Sequence, residues 1–326
     1  MSLQETLDRL ALTVTPAVLD DAERVFDLEA AVDTHDFGDV DFTVDDIRDE
    51  LEASDLAADT WLVSRADAPG GALIARALLE PRGGVEYRGQ VAVHPEWRGR
   101  GIGSALAREL EEGVRRRKPA GNAAEWPLLG FIQADQPGLT RWTERLGYVW
   151  SRRFLRMRIE LNAPPPEPQW PAGITVRDFV LGQDERPLHD ALDAAFTDHW
   201  GHVARPPEDL VARTQRSDFD PGLWHVAVED GQIVATATNS TLPDGVGWVS
   251  GLGVIPSHRR RGLARAILLH SFGVFWRRGM TAVALGVDAE SLTGATRLYE
   301  SVGMRTVLAW DQVRKVVPWV GYSSTE

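Results

Sequence analysis

The sequence predicts a mixed α/β fold built twice in tandem, and three observations predict it. The stretch "VIPSHRRRGLARAIL" (254–268) closes an apolar strand, sets three arginines beside one glycine, and opens an apolar helix. A second stretch, "VHPEWRGRGIGSAL" (93–106), repeats that order 161 positions upstream. Between them "NAPPPEPQWPAG" (162–173) carries five prolines in twelve residues, which excludes helix and inner strand and reads as a semi-rigid linker.

Further pairs keep the same order on both sides of the linker: "LTV" (12–14) with "ITV" (174–176), "TWLVSR" (60–65) with "LWHVAV" (223–228), and "ERLGY" (144–148) with "ESVGM" (300–304). A near-constant offset indicates tandem copies of one domain. The expected organisation is therefore a first domain over 1–161, a linker over 162–173 and a second domain over 174–326. In the second copy "RPLHDALDAAFTDHW" has helical spacing. "WHVAVEDGQIVATATNS" reads as two strands around an Asp-Gly turn. "GWVSGLGVI" is a third strand, and a helix runs from about Gly262 to Arg277. "TAVALGV" is a fourth strand, "TGATRLYESVG" a short helix stopped by Gly303, and "VLAWDQVRKV" a last strand. Strand, helix, strand with a crossover places one parallel pair inside an otherwise antiparallel sheet.

Composition narrows the function. The chain has 326 residues, is 43% hydrophobic and 25% charged, and contains no cysteine. That removes disulfides, thiolate metal sites and a cysteine nucleophile. A net charge of −13 argues against a nucleic-acid partner, because phosphate contacts need a basic surface. No apolar run approaches the ~18 residues of a membrane span, and no leader is visible, so no membrane partner and a cytoplasmic location are expected. No His, Asp or Glu cluster has metal-ligand spacing, so no metal is expected. Oligomeric state leaves no mark in the sequence.

A turn that opens a helix leaves backbone N–H groups without partners, and the helix dipole adds partial positive charge there. Glycine lets an anion approach the backbone, and arginine adds charge. Such a turn is suited to a phosphate or diphosphate. Arg259, Gly262 and Ala264 fit Arg/Gln-x-x-Gly-x-Gly/Ala in the second copy, as do Arg98, Gly101 and Gly103 in the first. Neither turn has the Gly-Lys-Ser/Thr of a nucleotide-triphosphate loop. The other reading of either turn is a solvated basic helix start.

The order of strand, turn, helix and strand, followed by "LYESVGM", resembles the GNAT superfamily of acetyl-CoA-dependent acyltransferases, over nearly the whole chain. The resemblance implies two tandem domains, each with a splayed parallel central strand pair and flanking helices. It implies that turn amides hold the coenzyme diphosphate, with acetyl-CoA as acyl donor. The implied coenzyme residues are Arg259, Arg260, Arg261, Gly262, Leu263, Ala264 and Arg265, with Arg98, Gly99, Arg100, Gly101, Ile102 and Gly103 in the first copy. It also implies that the strand end before each turn (Leu252, Gly253 and Val254, or Val91, Ala92 and Val93) runs along the pantetheine arm and polarises the thioester carbonyl. In that family a tyrosine on the short helix protonates the leaving thiolate. Here it aligns with Tyr299 in the second copy and Thr143 in the first. A buried aromatic with a bonded hydroxyl is the other reading of Tyr299. The second domain is thus expected to be catalytic and the first non-catalytic; the tandem layout is similar to mycothiol synthases. Where those carry a substrate-binding glutamate, Trp248 aligns, and where they carry a substrate-contacting tyrosine, Gly286 aligns.

On the acceptor side, Asp198, His199 and His202 in "FTDHWGHVARPP" are candidates for the base, or belong to a solvated loop. Asp288 either binds a cationic acceptor or caps the next turn. Trp248 either lines the acceptor site or is core. A water relay would need no dedicated base. The expected reaction is direct acetyl transfer to a primary amine of a small molecule. Its alternatives are acetylation of a cysteinyl pseudo-disaccharide as in mycothiol synthases, acetylation of a peptide or protein amine, and a non-catalytic coenzyme A sensor.

Overall fold

A computed structural model describes residues 2–117, 125–198, 206–216, 219–291 and 294–319. The chain divides into two compact units: residues 1–151 with 311–326, and residues 152–310. These units do not follow the linear boundary at the linker. The first copy's last strand leaves for unit 2, and the second copy's last strand joins unit 1.

Unit 1 contains α1 (Leu3–Leu10), β1 (Leu12–Thr15), α2 (Ala22–Phe37), α3 (Val44–Glu52), α4 (Leu56–Asp59), β2 (Thr60–Arg65), β3 (Ala75–Arg82), β4 (Glu86–Val93), α5 (Ile102–Arg115), β5 (Glu125–Gln133) and α6 (Pro137–Arg145). β6 (Val149–Glu160) begins here and continues into unit 2. Unit 2 holds β7 (Thr175–Asp178), α7 (Glu185–Phe196), α8 (Pro207–Thr214), β8 (Trp224–Glu229), β9 (Gln232–Thr241), β10 (Gly247–Val254), α9 (Leu263–Arg277), β11 (Ala282–Asp288) and α10 (Ala295–Ser301). β12 (Arg305–Pro318) crosses to unit 1 from Asp311 onward. Strand order in unit 1 is β1-β2-β3-β4-β5-β12, and in unit 2 it is β6-β11-β10-β9-β8-β7. Each sheet is therefore completed by the terminal strand of the other sequence copy.

The elements form where the sequence pattern places them. Asp230 and Gly231 both take positive φ (50° and 79°), as the two-residue turn between β8 and β9 demands. α9 is apolar all round because it lies in the core, with Phe272 and Phe275 fully buried. It packs so close to β10 that a Cβ on Gly247 would meet the Phe275 ring at 2.7 Å. The core of unit 1 includes Leu79, Leu106 and Leu128, with Val313 and Val317 supplied by β12.

The parallel pair is splayed in both units. β10 and β11 pair only from Gly247↔Val283 to Val249↔Leu285, although β10 runs on to Val254 and β11 to Asp288. β4 and β5 pair only at Tyr87↔Leu128 and Arg88↔Leu129. The two clefts differ in one respect. β10 carries a bulge against β9, the register shifting between Val249 and Gly251, whereas β4 runs against β3 without a shift from Glu86 to Val93.

Candidate active site

The two arginine turns have one local design. A short helical turn, Pro95–Trp97 or Pro256–His258, follows the strand and ends at an extended arginine, Arg98 or Arg259. Next comes a residue in the left-handed region, Gly99 (φ 75°) or Arg260 (φ 62°). Gly101 (φ 89°) and Gly262 (φ 87°) then cap α5 and α9. The first backbone bonds of these helices run from Ala105 to Gly101 and from Ala266 to Gly262, both 3.0 Å. No amide of residues 99–104 or 260–265 donates a backbone bond among the described residues. A Cβ on Gly262 would meet nothing within 4 Å. Open space beside a row of unpaired amides at a helix N-terminus fits a diphosphate.

The arginines are divided between two jobs. Arg98 donates through Nε to the Val93 carbonyl (3.2 Å) and grips Asp36 with both terminal nitrogens (2.7 and 2.8 Å). Arg259 repeats this, with Nε on the Val254 carbonyl (3.3 Å) and an ion pair to Asp198 (2.7 Å), and adds the Ala195 carbonyl (3.1 Å). Arg261 pairs with both oxygens of Glu229, at 2.9 and 2.7 Å. Arg261, seconded by His258, holds the Glu229 carboxyl down at about 2. These two arginines fasten the turn to the strand end and to neighbouring acids. Arg260 and Arg265 are exposed, with no hydrogen bond or ion pair among the described residues. Arg260 and Arg265 thus leave two cations exposed beside the turn. In the first turn Arg100 is spent on the Glu96 carbonyl (3.1 Å) and on the Trp97 ring (4.6 Å). Ile102, Leu263 and Ala264 are the first helical residues, with Ile102 and Leu263 buried.

At the strand ends, Gly253 is bare for a packing reason, since a Cβ there would lie 2.9 Å from Ala195 of α7. Leu252 packs against the core, as does Val254. In unit 1, Val91 and Val93 pack on the core and Ala92 lies against the α2–α3 cluster. Behind β4 stands a buried charge network that sequence reasoning missed: Arg76 pairs with Glu29 (2.6 Å) and Glu50 (2.7 Å), and Gln90 donates to Glu50 (3.3 Å).

Tyr299 lies on α10, 7% exposed, and its hydroxyl has no hydrogen bond among the described residues. Burial pushes the phenol up to about 12, so it stays protonated across the neutral range. Thr143, its counterpart, bonds back to its own helix at Thr140 (2.9 Å) and Leu139 (3.2 Å). Beside it the Trp142 indole donates to Ser104 in the first turn of α5 (2.9 Å) and lies 3.8 Å from a Cβ built on Gly103. An indole therefore stands against the first-copy turn.

Two acceptor-side carboxylates have other partners. Asp198 is exposed but tied to Arg259, the counterpart of Asp36 with Arg98. Asp288 is 7% exposed, ion-paired to Arg152, and accepts from the Glu290 amide at 2.9 Å, so the capping reading describes it. His199 and His202 lie outside the described residues. Trp248 faces Gly286, its ring 3.9 Å from where a Cβ would be, and the Arg156 guanidinium stacks between Trp248 (5.1 Å) and Trp310 (5.4 Å). The sequence shows no metal-ligand spacing, yet the fold gathers Asp178, His225 and His270.

Residues 186–304 match the family model "Acetyltransferase (GNAT) family", and residues 57–149 match "Acetyltransferase (GNAT) domain". The mycothiol acetyltransferase of Thermomonospora curvata is 36% identical over 235 residues, covering 72% of this chain and 75% of that protein. The chain belongs to the GNAT acetyltransferase family. It is an acetyl-CoA-dependent N-acetyltransferase. The mycothiol acetyltransferase of Frankia casuarinae is 33% identical over 265 residues, covering 77% of this chain and 74% of that protein. A GCN5-related N-acetyltransferase from Sphaerobacter thermophilus superposes with a TM-score of 0.80 at 36% identity, over 94% of this chain and 96% of that one. A tandem GNAT protein from the clavulanic acid biosynthesis pathway shares the fold, with a TM-score of 0.73 at 18% identity over 96% and 100% of the two chains. Among the described residues no helix is long and apolar enough to cross a membrane.

Proposed function

We propose that unit 2 carries out the transfer, to the primary amine of a small molecule, while unit 1 keeps the fold without turnover. The observation that carries this is an asymmetry within the repeat: only unit 2 combines a bulged strand at the splay with a phenol on the short helix. A bulge re-aims backbone groups, and here it does so where the strands part. On this reading the coenzyme diphosphate lies on the amides of residues 260–265, with Arg260 and Arg265 adding charge. Leu252, Gly253 and Val254 run along the pantetheine arm. The amine attacks the thioester carbonyl, and a β10 amide stabilises the tetrahedral oxyanion. The C–N bond forms, the C–S bond breaks, and Tyr299 donates to the departing sulfur. With Asp198 and Asp288 held by arginines, water is the proposed acceptor of the ammonium proton.

Relatives named mycothiol acetyltransferase make a cysteinyl pseudo-disaccharide the first acceptor to try. One observation favours a second reading. Trp248 and Gly286 replace the glutamate and tyrosine that mycothiol synthases bring to their substrate, and the indole leans into the space Gly286 leaves. That pair suits an acceptor with a flat or apolar face. Thiol release from acetyl-CoA, measured against the mycothiol precursor, an apolar aromatic amine, polyamines, aminoglycosides, amino acids and a peptide, decides the matter. Best turnover on the precursor supports the first reading and best turnover on an apolar amine the second. Turnover on the peptide alone, or on nothing, removes the small-molecule proposal.

A further inference from the structure

The outer strands of unit 2 bring together three metal-ligand types that are far apart in sequence. Asp178 ends the edge strand β7 and is the direct cross-strand partner of His225 on β8. His225 Nδ1 lies 3.0 Å from Asp178 Oδ1. His270, from α9, sets its ring edge-on to His225, with centroids 4.7 Å apart at 85°. One donor atom from each residue lies within 4.8 Å of the others.

An Asp–His pair alone is a common structural device, but two features here go beyond it. The His225 side chain is fully buried, and its Nε2 has no partner among the described residues. A buried ring nitrogen without a partner is destabilising, so the arrangement is unfavourable unless something else binds there. The second imidazole is also placed against the first, although two histidines repel once charged. Burial and His270 hold His225 at about 4 despite the pull of Asp178, and burial lowers His270 as well. An imidazole binds a cation through the lone pair of its neutral form. Asp178 is 62% exposed, which leaves a way in from solvent.

We propose that Asp178, His225 and His270 form a site for a divalent ion of the zinc class, completed by water, that ties β7 to β8 and α9. Two imidazoles and a carboxylate are the ligand types that Zn²⁺ takes, at ~2.0–2.2 Å in tetrahedral sites. Donors around such an ion stand closer together than 4.8 Å, so the exposed Asp178 and half-buried His270 are the side chains that have to move inward on binding. The role is structural, since the donors come from the edge strand, its neighbour and the core helix rather than from the splayed pair.

The test uses the untagged, metal-stripped full chain titrated with Zn²⁺ alone by calorimetry, with Co²⁺ absorption as a report on tetrahedral nitrogen and oxygen ligands. One ion per chain should bind, and the melting temperature should rise with Zn²⁺. Asp178→Asn and His270→Ala should each weaken binding by about tenfold or more and abolish that rise. His225→Ala would open the core, so the two outer ligands carry the test, with circular dichroism to show that both variants are folded. No binding to the parent chain, or binding that neither substitution changes, overturns the proposal.

Discussion

Tyr299 has a demanding position for an acid. A coenzyme thiol has a pKa near ~8.5 by analogy with cysteine, whereas burial raises this phenol to about 12. Proton transfer from such a phenol to a free thiolate is uphill, so the hydroxyl acts on the departing sulfur as a hydrogen-bond donor while the C–S bond breaks, and the thiolate takes its final proton from water. Tyr299→Phe keeps the ring and removes that donor. Steady-state turnover should fall by ~10²–10⁴-fold, with acetyl-CoA affinity measured by calorimetry little changed. Thr143→Val, which only removes a hydroxyl bonded to its own helix, should leave turnover near the parental value. Parental turnover in Tyr299→Phe would leave the residue a packing role. The raised value also sets a pH dependence. A group whose pKa lies above its usual 10 keeps its proton through that range. The kcat profile should therefore show no falling limb near pH 10 from this residue, and a limb there that vanishes in Tyr299→Phe would keep Tyr299 as the donor but show that its phenol is not raised by burial.

At the scale of the element, the turn is a row of amides held in shape by side chains. Gly262 sits at φ 87°, which any side chain finds strained, so charge and strain have to be separated. Asparagine tolerates the left-handed region nearly as well as aspartate. Gly262→Asp should abolish measurable acetyl-CoA binding, while Gly262→Asn should cost far less. Equal losses would mean that the turn fails through strain and not through repulsion of an anion. Gly101→Asp should spare turnover, and greater damage there than at Gly262 would reverse the assignment of the active unit. Arg260→Ala removes a cation with no partner among the described residues. It should weaken acetyl-CoA binding most at low salt and leave the melting temperature unchanged. An unaltered salt dependence would exclude Arg260 from the site.

Over the whole molecule the exchange of terminal strands governs stability. β12 lies beside β5 in unit 1, and Val313 and Val317 are 5% and 0% exposed in that unit's core. Burying two valines contributes ~1.5–3 kcal/mol each, a large share of the ~5–15 kcal/mol by which a domain is stable. A chain ending at Trp310 should therefore lose the cooperative unfolding of unit 1, seen as a missing or broadened calorimetric transition. Residues 1–161 expressed alone should behave likewise, because they lack β12. A sharp, native-like transition from either fragment would show that the exchanged strand is dispensable.

The repeat, the two turns, the β8–β9 hairpin and the apolar α9 were all legible in the sequence. Each depends on near-neighbour physics: an Asp-Gly turn, a glycine cap, or the period of an apolar face. The part of the site made by backbone was legible for the same reason, since a strand–turn–helix junction exposes its amides wherever it occurs. Side-chain roles were less so. Arg259 and Arg261 read as anion ligands in the sequence, and their ion pairs with Asp198 and Glu229 are invisible there because those acids are 61 and 32 residues away. Asp288 could be assigned to its turn only once Arg152 lay beside it. The sequence by itself determined a duplicated α/β acetyltransferase fold, because period, turn chemistry and repeat offset are written along the chain. Only the tertiary structure decided which arginines pair with acids, which copy's strand completes which sheet, and that Asp178, His225 and His270 meet. Charge pairing, edge-strand exchange and clustering of donors depend on distances between elements, which residue order does not contain.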